Sequence, residues 1–221
     1  MANVKICGLT TETDLRHAIS AGANYVGLVH FPKSPRHLDL ATAASLAKIA
    51  RQFPDTRSVV LLVDPDDELV DQVARQVGPD IIQLHGTEPP DRVAEIGNLA
   101  LRPIMKALAI SEKDDVAQAL DYLMPGCADM ILFDAKPPPD ATLPGGNGLS
   151  FDWTMLDGVA AEFPFTLAGG LTPDNVAEAI RLTKAAVVDV SSGVEAEPGK
   201  KDPRLVERFI AESKRVGQTD A

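Results

Sequence analysis

Three side chains of this 221-residue sequence stand where short apolar runs give way to loops, and each is of a type that can do chemistry. Cys7 ends the run NVKIC and is followed at once by Gly8. A thiol in such a place is a candidate reactive group, although a lone cysteine is more often a small buried hydrophobe. Asp134 directly follows the run ADMILF. Arg36 lies in the segment HFPKSPRH at 30–37, beside Lys33. A guanidinium there can grip a carboxylate through two parallel hydrogen bonds, and the flanking prolines limit the entropy lost in holding it. A solvated surface arginine is the plainer alternative. Two glycine-rich turns, LAGGL at 167–171 and SSGVE at 191–195, would let backbone N–H groups approach an anion such as phosphate. Their alternative is a pair of tight left-handed turns without a ligand. His30, His37 and His85 fall near run ends but lack the i,i+4 spacing of a zinc motif, so no metal is expected.

The elements that must position these residues follow from periodicity. Strand-like runs occur at 3–7, 24–29, 57–63, 80–84, 102–107, 128–133, 165–168 and 186–190. They are apolar throughout, as parallel strands buried on both faces are. Between them apolar residues recur three or four apart: Leu69, Val70, Val73 and Val77 share one face of 66–77, and Val176, Ala179, Ile180 and Thr183 one face of 172–183. Helix starts carry caps: Thr11 with Asp14, Asp66 before Leu69, and Thr172 with Pro173 at the first helical position.

Eight strand–helix units predict an α/β fold, a single-domain (β/α)8 TIM barrel over 1–216, with 217–221 as a loose tail. An open doubly wound sheet is the competing architecture, but no GxGxxG follows the first strand. The two longest connections, at 30–37 and 134–148, would be loops of the C-terminal face, where such barrels build active sites. Cys7 and Asp134 would both reach that mouth. Cys127 precedes its strand and so belongs at the other end, too far from Cys7 for a disulfide.

The formal net charge of −11 argues against nucleic acid, whose binders need clustered Lys and Arg. It leaves room for a small anion in a locally positive pocket. No apolar run approaches membrane-spanning length, no secretory signal is visible, and two cysteines make no disulfide framework, so a cytoplasmic protein is expected.

Taken together, KICGLT (5–10), FPKSPR (31–36), IIQLHG (81–86), GGNG and FDW within 145–153, AGGLTPDNV (168–176) and DVSSGVE (189–195) resemble the phosphoribosylanthranilate isomerases. The resemblance runs from Lys5 to about Phe209 and includes the ending PGKKDPRLVERFI. It implies a (β/α)8 barrel and an Amadori rearrangement in the third step of tryptophan biosynthesis, with no cofactor. N-(5-phosphoribosyl)anthranilate is converted to the 1-deoxyribulose 5-phosphate isomer. By the same resemblance Cys7 takes the position of the general base and Asp134 that of the general acid. Arg36 takes that of the residue holding the anthranilate carboxylate. Lys33, Gln83, His85 and Asp189 fall among substrate-binding positions. The turns at Gly169–Gly170 and Ser192–Gly193 match the phosphate site, and Gly146 and Gly148 belong to the loop after strand 6. The chemistry then calls for a lowered Cys7 pKa and a raised Asp134 pKa.

Local departures are His30, where an aromatic is usual, LLVDP at 61–65, Asn147, and the Pro137–Pro139 run. The alternatives are another sugar-phosphate barrel or a silent phosphate-binding one. An epimerase would pair two acids with a metal, and the synthase acting next would use Lys and Glu at strand ends. Cys7 at the first strand end favours the isomerase. The expected partner is the small-molecule substrate, with no nucleic acid and no membrane; monomer and homodimer are both open.

Overall fold

In the computed structural model, residues 1–138, 141, 143–146 and 148–216 are described. Pro139, Asn147 and the tail 217–221, on which three of the expectations fall, lie outside them. Eight strands, β1 (Asn3–Ile6), β2 (Tyr25–Val29), β3 (Arg57–Leu62), β4 (Ile81–Leu84), β5 (Ile104–Ile110), β6 (Met130–Ala135), β7 (Phe165–Leu167) and β8 (Val187–Val190), close into a barrel in chain order. Every neighbouring pair is parallel, including β1 with β8.

Alternation along each strand divides the apolar residues between two layers. Val4, Ile6, Val26, Leu28, Val60, Leu62, Ile82 and Phe133 belong to the core packed under the helices. Val59, Ile81, Met105, Ala107 and Leu132 fill the barrel interior. Cys7, Val29 and Leu61 form a third cluster. The parity that sends Ile6 and Phe133 to the helices therefore sends Cys7 and Asp134 inward.

The helices α1 (Glu12–Ala21), α2 (Leu40–Ala50), α3 (Asp67–Gln72), α4 (Pro90–Ala100), α5 (Lys113–Ala117), α6 (Ala119–Tyr122), α7 (Val159–Glu162), α8 (Val176–Thr183) and α9 (Pro203–Arg215) connect or follow the strands. A short antiparallel hairpin, β9 (Glu195–Glu197) with β10 (Lys200–Lys201), precedes α9. Thr11 and Asp66 cap α1 and α3 as expected, accepting from the backbone N–H groups of Asp14 and Leu69.

Three local expectations change. The helix over 66–77 passes after Gln72 into a π-helical turn, Val73–Val77, closed by the Gly78 N–H donating to the Val73 carbonyl. Pro173 does not open a helix: the Thr172 N–H donates to the Asn175 side chain, and α8 begins only at Val176. Asp134 lies within β6 rather than after it, because pairing with β5 continues through Ala109↔Asp134 and Ile110↔Ala135.

Candidate active site

At the C-terminal mouth a cavity of about 800 Å³, partly open to solvent, is lined by Cys7, Arg36, Gln83, His85, Asp134 and Asp189 among others. Gly146, Gly148, Gly169, Gly170, Ser192 and Gly193 also line it. Of the residues expected at the site, Lys33 is not brought to this cavity; it is exposed on the loop after β2. Its own loop explains this, for Arg36 turns inward and is buried while Pro32 and Lys33 project outward.

Cys7 follows β1 directly and still donates its N–H to the Val190 carbonyl at 2.8 Å, so the ladder holds its backbone. Its thiol needs room that only glycine at the adjacent position of β2 provides. A Cβ on Gly27 would lie 2.7 Å from the sulfur and 2.8 Å from the Cys7 Cα. Beneath the thiol, the fully buried Lys5 ammonium donates to Asp189 Oδ2 at 2.8 Å.

Burial pushes the Cys7 thiol up, and the positive charge of Lys5, though it favours the thiolate, does not cancel this. The lowered thiol pKa expected from the sequence is thus corrected: a cysteine removed from water ionises with more difficulty. Lys5 itself is weakened as an acid. Burial works to lower its pKa, but Asp189 and then Cys7 outweigh that and raise it. One expected result follows. Carbamidomethylation of Cys7, read by mass spectrometry of its peptide, accelerates with pH and levels off only above the ordinary thiol pKa of about 8.5. A plateau already reached at neutral pH would show the opposite shift.

Across the cavity, Asp134 is fixed at both oxygens. Oδ1 accepts from the Ala135 N–H at 2.8 Å, and Oδ2 lies 3.2 Å from His85 Nε2. His85 Nδ1 is 3.0 Å from Gln83 Nε2, so three side chains, from β4, the residue after it and β6, form one chain of polar contacts. The loop after β6 passes directly over it. A Cβ on Gly145 would lie 2.5 Å from Asp134 Oδ2 and 2.7 Å from His85 Nε2, so glycine lets the backbone cover the pair. Gln83 Oε1 and Asp189 Oδ1 are buried acceptors without a hydrogen-bond partner among the described residues.

Sequence reasoning missed Lys5, Glu195 and Lys201 as parts of this mouth. Lys5 carried a usable signal, a charge at an inward position of an otherwise apolar strand. Glu195 and Lys201 lie in the quoted DVSSGVE and PGKKDPRLVERFI segments, but only the folded chain shows that they meet Arg36 and Ser191.

An eight-stranded parallel barrel with a thiol, a carboxyl group and an arginine around one mouth cavity has the build of a barrel enzyme for acid–base work on an anionic substrate. Residues 4–212 match the family model described as N-(5'phosphoribosyl)anthranilate (PRA) isomerase. The chain is 54% identical over 210 residues to the N-(5'-phosphoribosyl)anthranilate isomerase of Paracoccus denitrificans, covering 95% of each protein. With that of Rhodopseudomonas palustris it shares 51% over 207 residues, covering 94% of this chain and 95% of the relative. It is similar to the crystal structure of the Thermotoga maritima phosphoribosyl anthranilate isomerase, with 35% identity, TM-score 0.86, and coverage of 97% of this chain and 100% of that one. A structure of a phosphoribosyl anthranilate isomerase in complex with reduced 1-(o-carboxyphenylamino)-1-deoxyribulose 5-phosphate matches at 33% identity and TM-score 0.83, covering 97% and 100%. The chain belongs to the N-(5'-phosphoribosyl)anthranilate isomerase family.

Proposed function

We propose that Cys7 and Asp134 are the general base and general acid with which this chain, an isomerase of tryptophan biosynthesis, rearranges N-(5'-phosphoribosyl)anthranilate. The observation that carries this reading is that both side chains line one cavity, from strands that stand three places apart around the barrel. Asp134 gives a proton to the furanose ring oxygen, and the C1′–O bond breaks to leave a protonated imine. That imine acidifies the C2′ hydrogen, which the Cys7 thiolate removes to form an enolamine. Loss of the C2′ hydroxyl proton and protonation at C1′ complete the ketose. The imine is a cation close to Cys7, so it favours the thiolate in the same direction as Lys5. Base formation is thereby tied to ring opening.

Arg36 holds the anthranilate carboxylate, and the backbone of the Gly169–Gly170 and Ser192–Gly193 turns holds the phosphate. The unpartnered oxygens of Gln83 and Asp189 are suited to accept from the sugar hydroxyls, and His85 stands between Gln83 and Asp134. Replacement of Arg36 by alanine is expected to weaken substrate binding by about 2 kcal/mol, the scale of a lost charge-assisted hydrogen bond, with a smaller effect on kcat. Steady-state kinetics check this, and unchanged KM and kcat would remove Arg36 from the site.

A cytosolic location belongs to the same reading, supported by two free cysteines and a biosynthetic family. Among the described residues no helix is long and apolar enough to cross a membrane. Every group assigned a part here comes from a single chain, so the chemistry suits a monomer as well as a homodimer. The deciding experiment is conversion of N-(5'-phosphoribosyl)anthranilate by the purified protein without added metal or cofactor. Binding of the reduced product analogue without turnover would instead make the chain a silent barrel.

A further inference from the structure

Arg36 is held by a partner from the far end of the chain. Its Nε donates to Glu195 Oε1 at 2.7 Å and its Nη2 to Glu195 Oε2 at 2.8 Å. Lys201 Nζ donates to the same Glu195 Oε1 at 2.7 Å and to the Ser191 carbonyl at 3.0 Å. All three charged side chains are buried, and two cations against one anion leave a single positive charge in surplus. Burial works to raise the Glu195 pKa, but the hydrogen bond from Arg36 and the charge of Lys201 outweigh it, so its carboxyl stays below the usual range.

A planar guanidinium offers more than one edge to a carboxylate. Glu195 occupies the side edge, Nε with Nη2. The end edge, one Nη1 hydrogen with the second Nη2 hydrogen, has no hydrogen-bond partner among the described residues. Nη1 faces the loop after β6, where a Cβ on Gly146 would come within 3.0 Å of it, and both residues line the catalytic cavity. Arg36 therefore cannot swing to meet an anion side-on.

We infer that Glu195, backed by Lys201, is a positioning residue that presents the end edge of Arg36 to the cavity and so sets the preference for a substrate whose ring bears a carboxylate. This rests on the reading that Arg36 holds that carboxylate. Lys201 matters because its ammonium holds Glu195 Oε1, the same oxygen that Arg36 Nε meets. A mere staple between the β9–β10 hairpin and the loop after β2 would stabilise the fold yet be indifferent to the ligand's carboxylate.

The test uses the whole protein, Glu195→Gln, Glu195→Asp and Arg36→Ala, and two ligands. These are the reduced product analogue and its counterpart made from aniline, which lacks the carboxylate. Glu195→Asp keeps the charge that balances Lys201, so it stays informative where Glu195→Gln does not fold, yet it is one methylene too short to reach both Nε and Nη2. By calorimetry, both variants bind the carboxylated analogue about tenfold more weakly, the scale of one charge-assisted hydrogen bond, and the aniline analogue as wild type does. Turnover shows the same split, with KM raised and kcat within about threefold of wild type, since the acid and base are untouched. In the Arg36→Ala background, Glu195→Gln adds nothing further. Equal weakening of both analogues, or of neither, overturns the inference. If Arg36→Ala itself does not discriminate between the analogues, the assignment of Arg36 fails first, and the two failures are thus distinguished.

Discussion

In a Cys7→Ala variant, kcat for the isomerisation falls at least about a hundredfold, the usual scale for a positioned base, while the reduced product analogue still binds. Water removes the proton on C2′ poorly, and a thiolate held against the sugar removes it well. Cys7 is the thiol on this cavity, since Cys127 is buried elsewhere with its sulfur against the Pro90 carbonyl. Truncation leaves the shape of the site because the neighbouring β2 position is Gly27, which does not follow the receding sulfur. Near-wild-type turnover in this variant would remove Cys7 as the base. Replacing Lys5 is a poorer experiment. It leaves the Asp189 carboxylate buried and unpaired, a loss of about 3–5 kcal/mol that would blur catalysis with folding.

Asp134→Asn gives the second large effect, again at least about a hundredfold in kcat with binding retained. The amide matches the carboxyl in shape but has no acidic proton to deliver to the ring oxygen. It also tests the chain Gln83–His85–Asp134. The Ala135 N–H and His85 Nε2 fix the carboxyl oxygens from two sides, and the asparagine oxygen can keep only one of those contacts. A substrate analogue already ring-opened bypasses the acid step, so the defect shrinks when such an analogue is isomerised. If Asp134→Asn turned over the cyclic substrate at the wild-type rate, the ring-opening proton would have another source. Should both variants lose affinity for the product analogue as well as rate, their side chains would be serving in binding rather than in proton transfer.

Much of this was legible before folding, for identifiable reasons. Strands buried on both faces announce themselves as apolar runs, and the period of two then decides that Cys7 and Asp134 face inward. The long connections after β2 and β6 marked the mouth. Contacts between distant segments were not legible: Arg36 and Glu195 are 159 residues apart and carry no local pattern that joins them. Nor was the direction of the Cys7 shift, since a run of letters shows a lysine two positions away but not how completely water is excluded. Thr172 and Pro173 were misread as a helix start because they form a separate turn, in which Thr172 Oγ1 accepts from the Asp174 N–H and the Asn175 side chain from the Thr172 N–H, ahead of α8 at Val176. The outward turn of Lys33 likewise depends on how its loop lies against the barrel.

The Lys5–Asp189 pair has a consequence for how the protein comes into being. Its partners are separated by 184 residues, nearly the whole chain. At ordinary synthesis rates of about 5–20 residues per second, Lys5 is made roughly ten to forty seconds before Asp189 exists. Until then the lysine has no counter-charge and β1 no neighbour on its open side, because β8 supplies both. Glu195 and Lys201 arrive later still. A chain interrupted at β7 therefore has its thiol, its acid and its arginine already in the polypeptide, yet neither barrel closure nor the fixed charges around them. Closure of the barrel comes with β8, and the charges that hold Arg36 come with the hairpin after it.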